Sequence, residues 1–560
     1  MNKPDETLST STPREISPQS TASTPASGKT LEPDGEWASE LQELATRRAQ
    51  AAAMGGQAAL DKLKARGVMN VRERLGALLD EGTFRELGRI TGKGKYDKEG
   101  FFQGLSPVNA IIGSGRIEGR KVMVSADDYS IRAGSSEATI SDKWIYAERM
   151  ALDLRMPLIR LVDTAGGSVK LLEQSGHSKI PGYPNWPVTQ LLKAVPVVGV
   201  ALGSCAGLGA VKVLMSHFSV MVRDQAQVFA AGPPVVKQAY GIEIDKNDLG
   251  GYKVHRRSAL VHNEAESEED AFEQVRRFLS YLPRHSATYA RRTSTSDPVD
   301  RADDWLKSAI PKDRRKVYDP RKILKSIFDE GSVFEIGRYQ AGSCITALAR
   351  LNGYPVGILC SDPRVAGGAM TITSAWKMER HVKLCDTFGL PVINMVDQPG
   401  NATGPDAELQ GTLLGAVRVL STIEEVKVPW VSIIMRRAFG MAGGLHAPKY
   451  FPHLIHRFGW PSARWGSIPI EGGVAAAYRK EIAEASDPAQ TQDELEAYYH
   501  RIASPFRTAE RFMMLDIIDP RETRGVLCDW VEDAWEAMCA REPKLSEAHP
   551  YDAPWHAPQD

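Results

Sequence analysis

Apolar and polar residues follow two different periods along this chain. From Glu36 to Met54, "EWASELQELATRRAQAAAM" places Leu41, Leu44 and Ala45 at helical spacing. Gly55-Gly56 breaks the pattern and a second, basic helix follows. "NVRERLGALLDEGTF" then sets Val71, Leu75, Leu78 and Leu79 behind Asn70, whose short side chain can accept from the first free N–H groups of a helix. "VNAIIGSGRIEGRKVMVSADD" changes to strand character and predicts a hairpin turning at Glu118-Gly119. After it, "KWIYAERMALDLRM" reads as a helix and "PLIRLVDTAGG" as a strand ending in a glycine loop. "WPVTQLLKAV" is a helix again, and "PVVGVALGSCAGLGA" is a Val-rich strand running into small residues. Strands alternating with helices predict βαβ units and a largely parallel sheet.

The same order recurs downstream. Lys143 and Asp163 are 20 residues apart, as are Lys377 and Asp397. Pro157 precedes Asp163 by 6, and Pro391 precedes Asp397 by 6. Pro196 lies 12 before Leu208, and Pro429 lies 12 before Met441. "MPLIRLVDTAGG" answers "LPVINMVDQPGN", and "VPVVGVALGSCAGLGA" answers "VPWVSIIMRRAFGMAG". These matched intervals predict two copies of one domain, residues 35–300 and 301–545, joined near the polar stretch Ser294–Lys316. Residues 1–34 and 546–560 are read as tails, the first disordered because it is rich in Ser, Thr and Pro.

Composition narrows the function classes. The 560 residues carry 69 basic and 70 acidic side chains, a net charge of −1. That balance gives no reason to expect nucleic acid or an anionic membrane as partner. "KDRRK" (Lys312–Lys316) is either a solvated face or a local anion site. The six cysteines form no C-x-x-C pair, so no metal site is expected, and their scatter fits reduced thiols in a cytoplasmic protein. No apolar run reaches the roughly 18–20 residues of a membrane span.

The usual side-chain constellations are missing: there is no G-x-S-x-G, no P-loop and no H-E-x-x-H. Asp163 and Asp397 end apolar strands, where α/β sites collect, and each is a candidate site residue or a loop cap. His177, in the loop after "DTAGGSVKLLEQ", is a site candidate or a structural loop residue. The two small-residue clusters carry more weight. A strand that ends in Gly and Ala before a helix presents backbone N–H groups that a ligand can approach closely. Such donors stabilise an oxygen that gains negative charge, so two matched clusters point to two oxyanion sites.

Three longer stretches resemble the carboxyltransferase (β) subunits of biotin-dependent acyl-CoA carboxylases, of the propionyl-CoA and methylcrotonyl-CoA type. They are "VRERLGALLDEGTFRELG", "GPPVVKQAYGIEIDKNDLGGYKVH" and "SPFRTAERFMMLDIIDPRETR". The resemblance spans about Leu41 to Trp530. It implies an α/β fold of two tandem crotonase-like (ClpP/crotonase) ββα-superhelix domains, and a β6 ring built as a trimer of dimers. Acyl-CoA would bind on the N-terminal domain. Carboxybiotin, carried on a biotin carboxylase or biotin carboxyl carrier (α) subunit, would reach the C-terminal domain of a neighbouring copy. In the implied chemistry the ureido anion left by CO2 release removes the substrate's α-proton. The protein then has to hold two oxyanions and need not supply a strong base.

By position the resemblance implies a donor pair at Gly207 and Leu208, with Gly209 taking part if the register slips by one. It implies a second pair at Met441 and Ala442, after Gly440. Gly166, Gly167, Gly232 and Pro233 fall where the acyl group is lined, and Gly400 and Glu471 on the biotin side. "AWKMER" (Ala375–Arg380) lacks the context of a biotinyl site, so biotin is expected on a partner. Leu208 and Met441 stand where the family has glycine, which predicts backbone strain there. "DTAGGSVK" and "DQPGN" also depart from the family's loops. Three functions follow: an acyl-CoA carboxylase subunit acting at the α (or vinylogous γ) carbon, the equivalent part of a decarboxylase or transcarboxylase, or a scaffold subunit inactivated by Leu208 and Met441.

Overall fold

A computed structural model describes residues 35–135, 140–167, 176, 180, 182–447 and 454–542. In chain order the first half carries β1 (Arg85–Leu87), β2 (Gly92–Tyr96), β3 (Phe102–Pro107), β4 (Ala110–Ile117), β5 (Arg120–Asp127), β6 (Leu158–Thr164), β7 (Val197–Ala206), β8 (Phe218–Val222), β9 (Gln227–Phe229) and β10 (Asn263–Ala265). The second half carries β11 (Phe334–Ile336), β12 (Cys344–Leu351), β13 (Tyr354–Ser361), β14 (Val392–Gln398), β15 (Trp430–Phe439), β16 (Ile455–Gly459), β17 (Arg464–Gly466) and β18 (Asp516–Ile517). One sheet runs β1-β4-β5-β6-β7-β8-β10 with β9 beside β7. The other runs β11-β12-β13-β14-β15-β16-β18 with β17 beside β15. The two orders correspond strand for strand, so the duplication read from residue spacing is a duplication of topology.

Local chemistry explains the elements. Asn70 accepts from the N–H groups of Arg72 and Glu73, and Glu73 returns a bond to the Asn70 N–H. That capping box starts the helix Val71–Leu78, which buries Val71, Leu75 and Leu78. β4 and β5 pair from Ile117↔Arg120, so Glu118 and Gly119 alone make the turn, both with positive φ (49° and 77°). β6, β7 and β8 are parallel and almost wholly buried, as continuous Val, Ile and Leu runs require. The helix Ala38–Ala52 forms where its periodicity predicts, but Leu41 is exposed and only Ala51 is buried. The helix lies along β3, where Gln50 Oε1 accepts from Leu105 N–H at 2.7 Å and Arg47 stacks over Phe102 at 3.7 Å, and Leu44 is half-buried.

One hydrophobic core runs through both halves. Phe218 packs on Phe334 across the seam at 5.6 Å, and His217 meets Phe388 edge-on at 4.9 Å. The joining stretch is pinned to the body: Arg524 donates to Pro298 O and Asp297 O, and Thr293 N–H to Gly353 O. Among the described residues no helix is long and apolar enough to cross a membrane.

Candidate active site

In each half three chain segments meet at the carboxyl end of the central parallel strands. Beside β6 and β7 they are the short helical turn Arg132–Gly134, the loop after Thr164, and the turn Gly207 into the helix Leu208–Leu214. Ala165 N–H donates to Ala133 O at 3.0 Å, and Thr164 Oγ1 donates to Gly134 O at 2.5 Å. Gly166, φ 86°, lies against Ala206, where a β-carbon would come within 3.1 Å of the Ala206 methyl. Gly167 is the last described residue of that loop before a gap, and His177 lies outside the described residues. Gly232 and Pro233 open the helix Pro233–Tyr240 just beyond β9, whose Phe229 pairs with Ala206. Their helix buries no side chain, so it stands as an exposed rim.

The second half repeats this with Ala366–Gly368, the loop at Gly400, and Gly440 into Met441-Ala442. Met370 N–H donates to Gly400 O at 3.0 Å, and Gly400 N–H to Gln398 Oε1 at 3.1 Å. Gly440 faces Ser467 O, which follows β17 as Ala230 O follows β9 opposite Gly207. Glu471 is half-exposed and committed elsewhere, to Arg314, with His500 Nε2 3.4 Å away. Lys377 of "AWKMER" is buried and donates to Gly337 O, Gln340 O and Cys344 O at 2.7–3.0 Å, a structural role.

Two expectations change. Gly207 N–H donates to Phe229 O at 3.2 Å, so that donor is already used. The next N–H groups, of Leu208 and Gly209, open a helix and have no intrahelical acceptor. The expected strain at Leu208 and Met441 is absent. Neither has a positive φ; the left-handed values belong to Gly207 (56°) and Gly440 (62°), one residue earlier. Leu208 is partly buried and packs on the buried cluster that includes Trp144 and Leu191.

Beneath each turn lies a buried aspartate at a strand irregularity, Asp163 between Val162 and Thr164, Asp397 between Val396 and Gln398. Asp163 Oδ2 accepts from Arg74 Nη1 at 2.9 Å, and Arg74 is also held by Glu268. Burial pushes the Asp163 carboxyl up to about 6 against the pull of Arg74. A β-carbon on Gly203 would collide with this carboxylate. Asp397 accepts from Arg436 at 2.9 Å, Arg437 at 2.6 Å and the Tyr318 hydroxyl at 2.9 Å. Arg437 also donates to Gly367 O at 2.7 Å, tying two of the converging segments together.

The halves have thus exchanged the origin of their arginine. In the register of the repeat Arg74 corresponds to Ile323 and Gly203 to Arg436. The first cluster holds Arg74 with Asp163 and Glu268, and Lys212 3.5 Å from Asp127: two cations, three carboxylates. Among the described residues the second holds Arg436 and Arg437 with Asp397 alone: two cations, one carboxylate. Neither these ion pairs nor the turns Arg132–Gly134 and Ala366–Gly368 were singled out from sequence. The signal for the turns was present in "DYSIRAG" and "DPRVAGG", each placing its glycine 6 residues after a matched aspartate.

Comparison with known proteins gives a consistent picture. The family model described as the carboxyl transferase domain matches residues 62–546. The propionyl-CoA carboxylase carboxyltransferase subunit of Haloferax mediterranei is 32% identical over 492 residues, covering 87% of this chain and 94% of the relative. The methylmalonyl-CoA decarboxylase subunit alpha of Veillonella parvula is 28% identical over 495 residues, covering 87% and 94%. A crystal structure of transcarboxylase 12S, a hexamer with methylmalonyl-coenzyme A and methylmalonic acid bound, superposes with a TM-score of 0.79 at 26% identity over 90% of this chain and 97% of that one.

Proposed function

The chain belongs to the carboxyl transferase domain family, and we propose that it is the carboxyltransferase subunit of a biotin-dependent acyl-CoA carboxylase, moving a carboxyl group between biotin on a partner subunit and the α-carbon of an acyl-CoA. The observation that carries this reading is the pair of matched backbone-donor turns over clusters of opposite charge balance. The first half supplies the N–H groups of Leu208 and Gly209 toward the thioester oxygen, with Gly166, Gly167, Gly232 and Pro233 around the acyl group. The second supplies Met441 and Ala442 after Gly440, beside Gly400, toward the ureido oxygen. Biotin, when bound, supplies the carboxyl group from its carboxylated ring nitrogen. The excess of arginine under the second turn suits that anion, and the residues there fit it: small, open and cationic below.

The chain's own part is to place and to polarise. Preorganised N–H donors stabilise charge that develops in the transition state, each worth about 3 kcal/mol. Asp163 and Asp397, fixed in their ion pairs, hold the strand ends from which both turns depart. A hexamer with the two halves of neighbouring copies facing each other is the assembly this reading uses. The decarboxylase and transcarboxylase uses differ in the direction of the same transfer, and the identity of the partner subunits distinguishes them. A scaffold role loses its premise, since Leu208 and Met441 bring no strain.

The test is carboxyl transfer to free biotin from a panel of carboxylated acyl-CoAs, beginning with methylmalonyl-CoA, which would leave propionyl-CoA and carboxybiotin, followed by isolation of the native complex. Transfer by the wild type and a biotinylated partner in the complex are expected. No transfer with any acyl-CoA, alone or in the complex, defeats the reading.

A further inference from the structure

The seam between the two halves holds a cation that the carboxyl transfer does not use. The Arg380 guanidinium, on the helix Ile372–Phe388, reaches across to the first half. Its Nη1 donates to Ala259 O at 3.1 Å, and its Nη2 lies 3.2 Å from His262 Nδ1. That imidazole nitrogen already accepts from Ser219 N–H at 3.0 Å. No carboxylate pairs with Arg380 among the described residues, although Arg74, Arg436, Arg437 and Arg524 each have one. Lys377, one helical turn away, donates to the carbonyl oxygens of Gly337, Gln340 and Cys344.

The neighbouring imidazoles do not relieve this excess of charge. Burial draws His217 down to about 4 and His381 to about 3, and holds His262 well below its ordinary value, so all three are neutral. Burial alone lowers Arg380 to about 10, which leaves it cationic. A charge held in this way is expensive unless something pairs with it.

Arg380 also lines a cavity of about 360 Å³ between the halves, with Ser216, His217, His262, Thr387 and Thr422. Lys383 stands on this cavity, paired with Glu379 at 2.6 Å. The acidic groups on its wall are Asp386, which accepts from Lys427 N–H at 2.6 Å, and the exposed Glu425. We propose that this cavity is a binding site for a small oxyanion of the phosphate or bicarbonate class, paired with Arg380 and bridging the two halves of the chain. Its guanidinium has N–H groups beyond the two contacts above, and a planar fork suits an oxyanion. The site is separate from both donor turns, so the carboxyl-transfer reading stands or falls independently of it.

Calorimetric titration of the full chain with inorganic phosphate, at constant ionic strength and with chloride as control, tests the site. Saturable binding of one phosphate per chain is expected, with a concentration-dependent rise in Tm. Arg380→Gln should abolish it, and Lys383→Gln should weaken it by up to about fivefold, the scale of a rim charge. Selenate soaked into crystals should give an anomalous peak beside Arg380, a readout that holds even if Arg380→Gln fails to fold. Competition by bicarbonate assigns the site to the planar anion, and indifference to bicarbonate assigns it to the tetrahedral one. Phosphate binding no stronger than chloride, equal affinity in Arg380→Gln, or selenate peaks only elsewhere would each overturn the proposal.

Discussion

Gly209→Ala is the sharpest test of the first donor turn. A β-carbon built on Gly209 falls 2.3 Å from Thr164 Cγ2, while ordinary contact begins at 3.4 Å. The next neighbours, Val162 Cγ1 at 3.6 Å and Thr164 O at 3.7 Å, accept it without movement. One methyl group therefore stands in the way, and relief needs a shift of about 1 Å in the helix that carries the Leu208 and Gly209 N–H groups. A misplacement of that size at reacting atoms costs about 100-fold in rate, while overpacking costs about 1–3 kcal/mol of stability. Thr164→Ser removes only the obstructing methyl and keeps the hydroxyl that donates to Gly134 O and accepts from Gly166 N–H. On its own it should cost about 1 kcal/mol of stability and leave turnover near that of the wild type. The double variant should then recover most of the lost kcat.

The assay is carboxyl transfer with whichever acyl-CoA the wild type turns over best, with kcat and KM determined separately and Tm measured in parallel. Full activity in Gly209→Ala would show that the helix position does not govern the chemistry. A double variant as slow as Gly209→Ala, yet restored in Tm, would show that the methyl clash explains packing and not catalysis.

Leu208→Gly should lower stability by about 1–2 kcal/mol in urea titration, through lost packing and a freer backbone, with no gain in rate; a severalfold gain would contradict the unstrained geometry. Gly440→Ala meets only Ser467 O at 3.5 Å, so its cost is the left-handed φ, about 1–2 kcal/mol, and it should slow transfer to free biotin while acyl-CoA affinity is unchanged. Loss of acyl-CoA affinity instead would refute the division of roles between the halves. Arg436→Met leaves Asp397 to Arg437 and Tyr318 and should cost about 3 kcal/mol, visible as a lower Tm; an unchanged Tm would mean the second cation is redundant. His446 is buried and drawn down to about 4, so the unfolded chain binds its proton first as pH falls. Its stability is complete above about 6.5 and declines toward 4, by about 2 kcal/mol at pH 5, and His446→Gln should flatten the pH dependence of ΔG by that amount.

The parts legible in the sequence are those set by local chemistry or by repetition. Asn70 with Glu73 declares a helix start, Glu118-Gly119 a two-residue hairpin turn, and matched intervals between Lys, Pro and Asp declare the duplication. The ion pairs were not legible, because Arg74 meets Asp163 across 89 positions and Glu268 across 194. The hydrogen bond that uses the Gly207 N–H was not legible for the same reason: its acceptor, Phe229 O, lies on β9, which only the folded sheet places there. The relaxed backbone at Leu208 and Met441 was not legible either, because residue identity at a position does not set its torsion angle. The glycine that each turn needs is the one before.

That displacement explains how such a site tolerates change. When the donors are backbone N–H groups, a side chain can vary provided the preceding glycine keeps its left-handed φ and the following positions stay small where strands press on them. Leu208 and Met441 vary within this limit; Gly209, under the Thr164 methyl, cannot. The buried charges below are under a different constraint. Each aspartate needs an arginine, but its source is free: in one half Gly203 makes room for the Asp163 carboxylate, which Arg74 reaches from a helix, while in the other Arg436 comes from the strand itself. Arg437 then adds a second cation on the side assigned to the carboxylated cofactor. Two halves with one backbone plan can in this way serve oxygens of different origin, the difference lying in charge beneath the turns and not in the donors themselves.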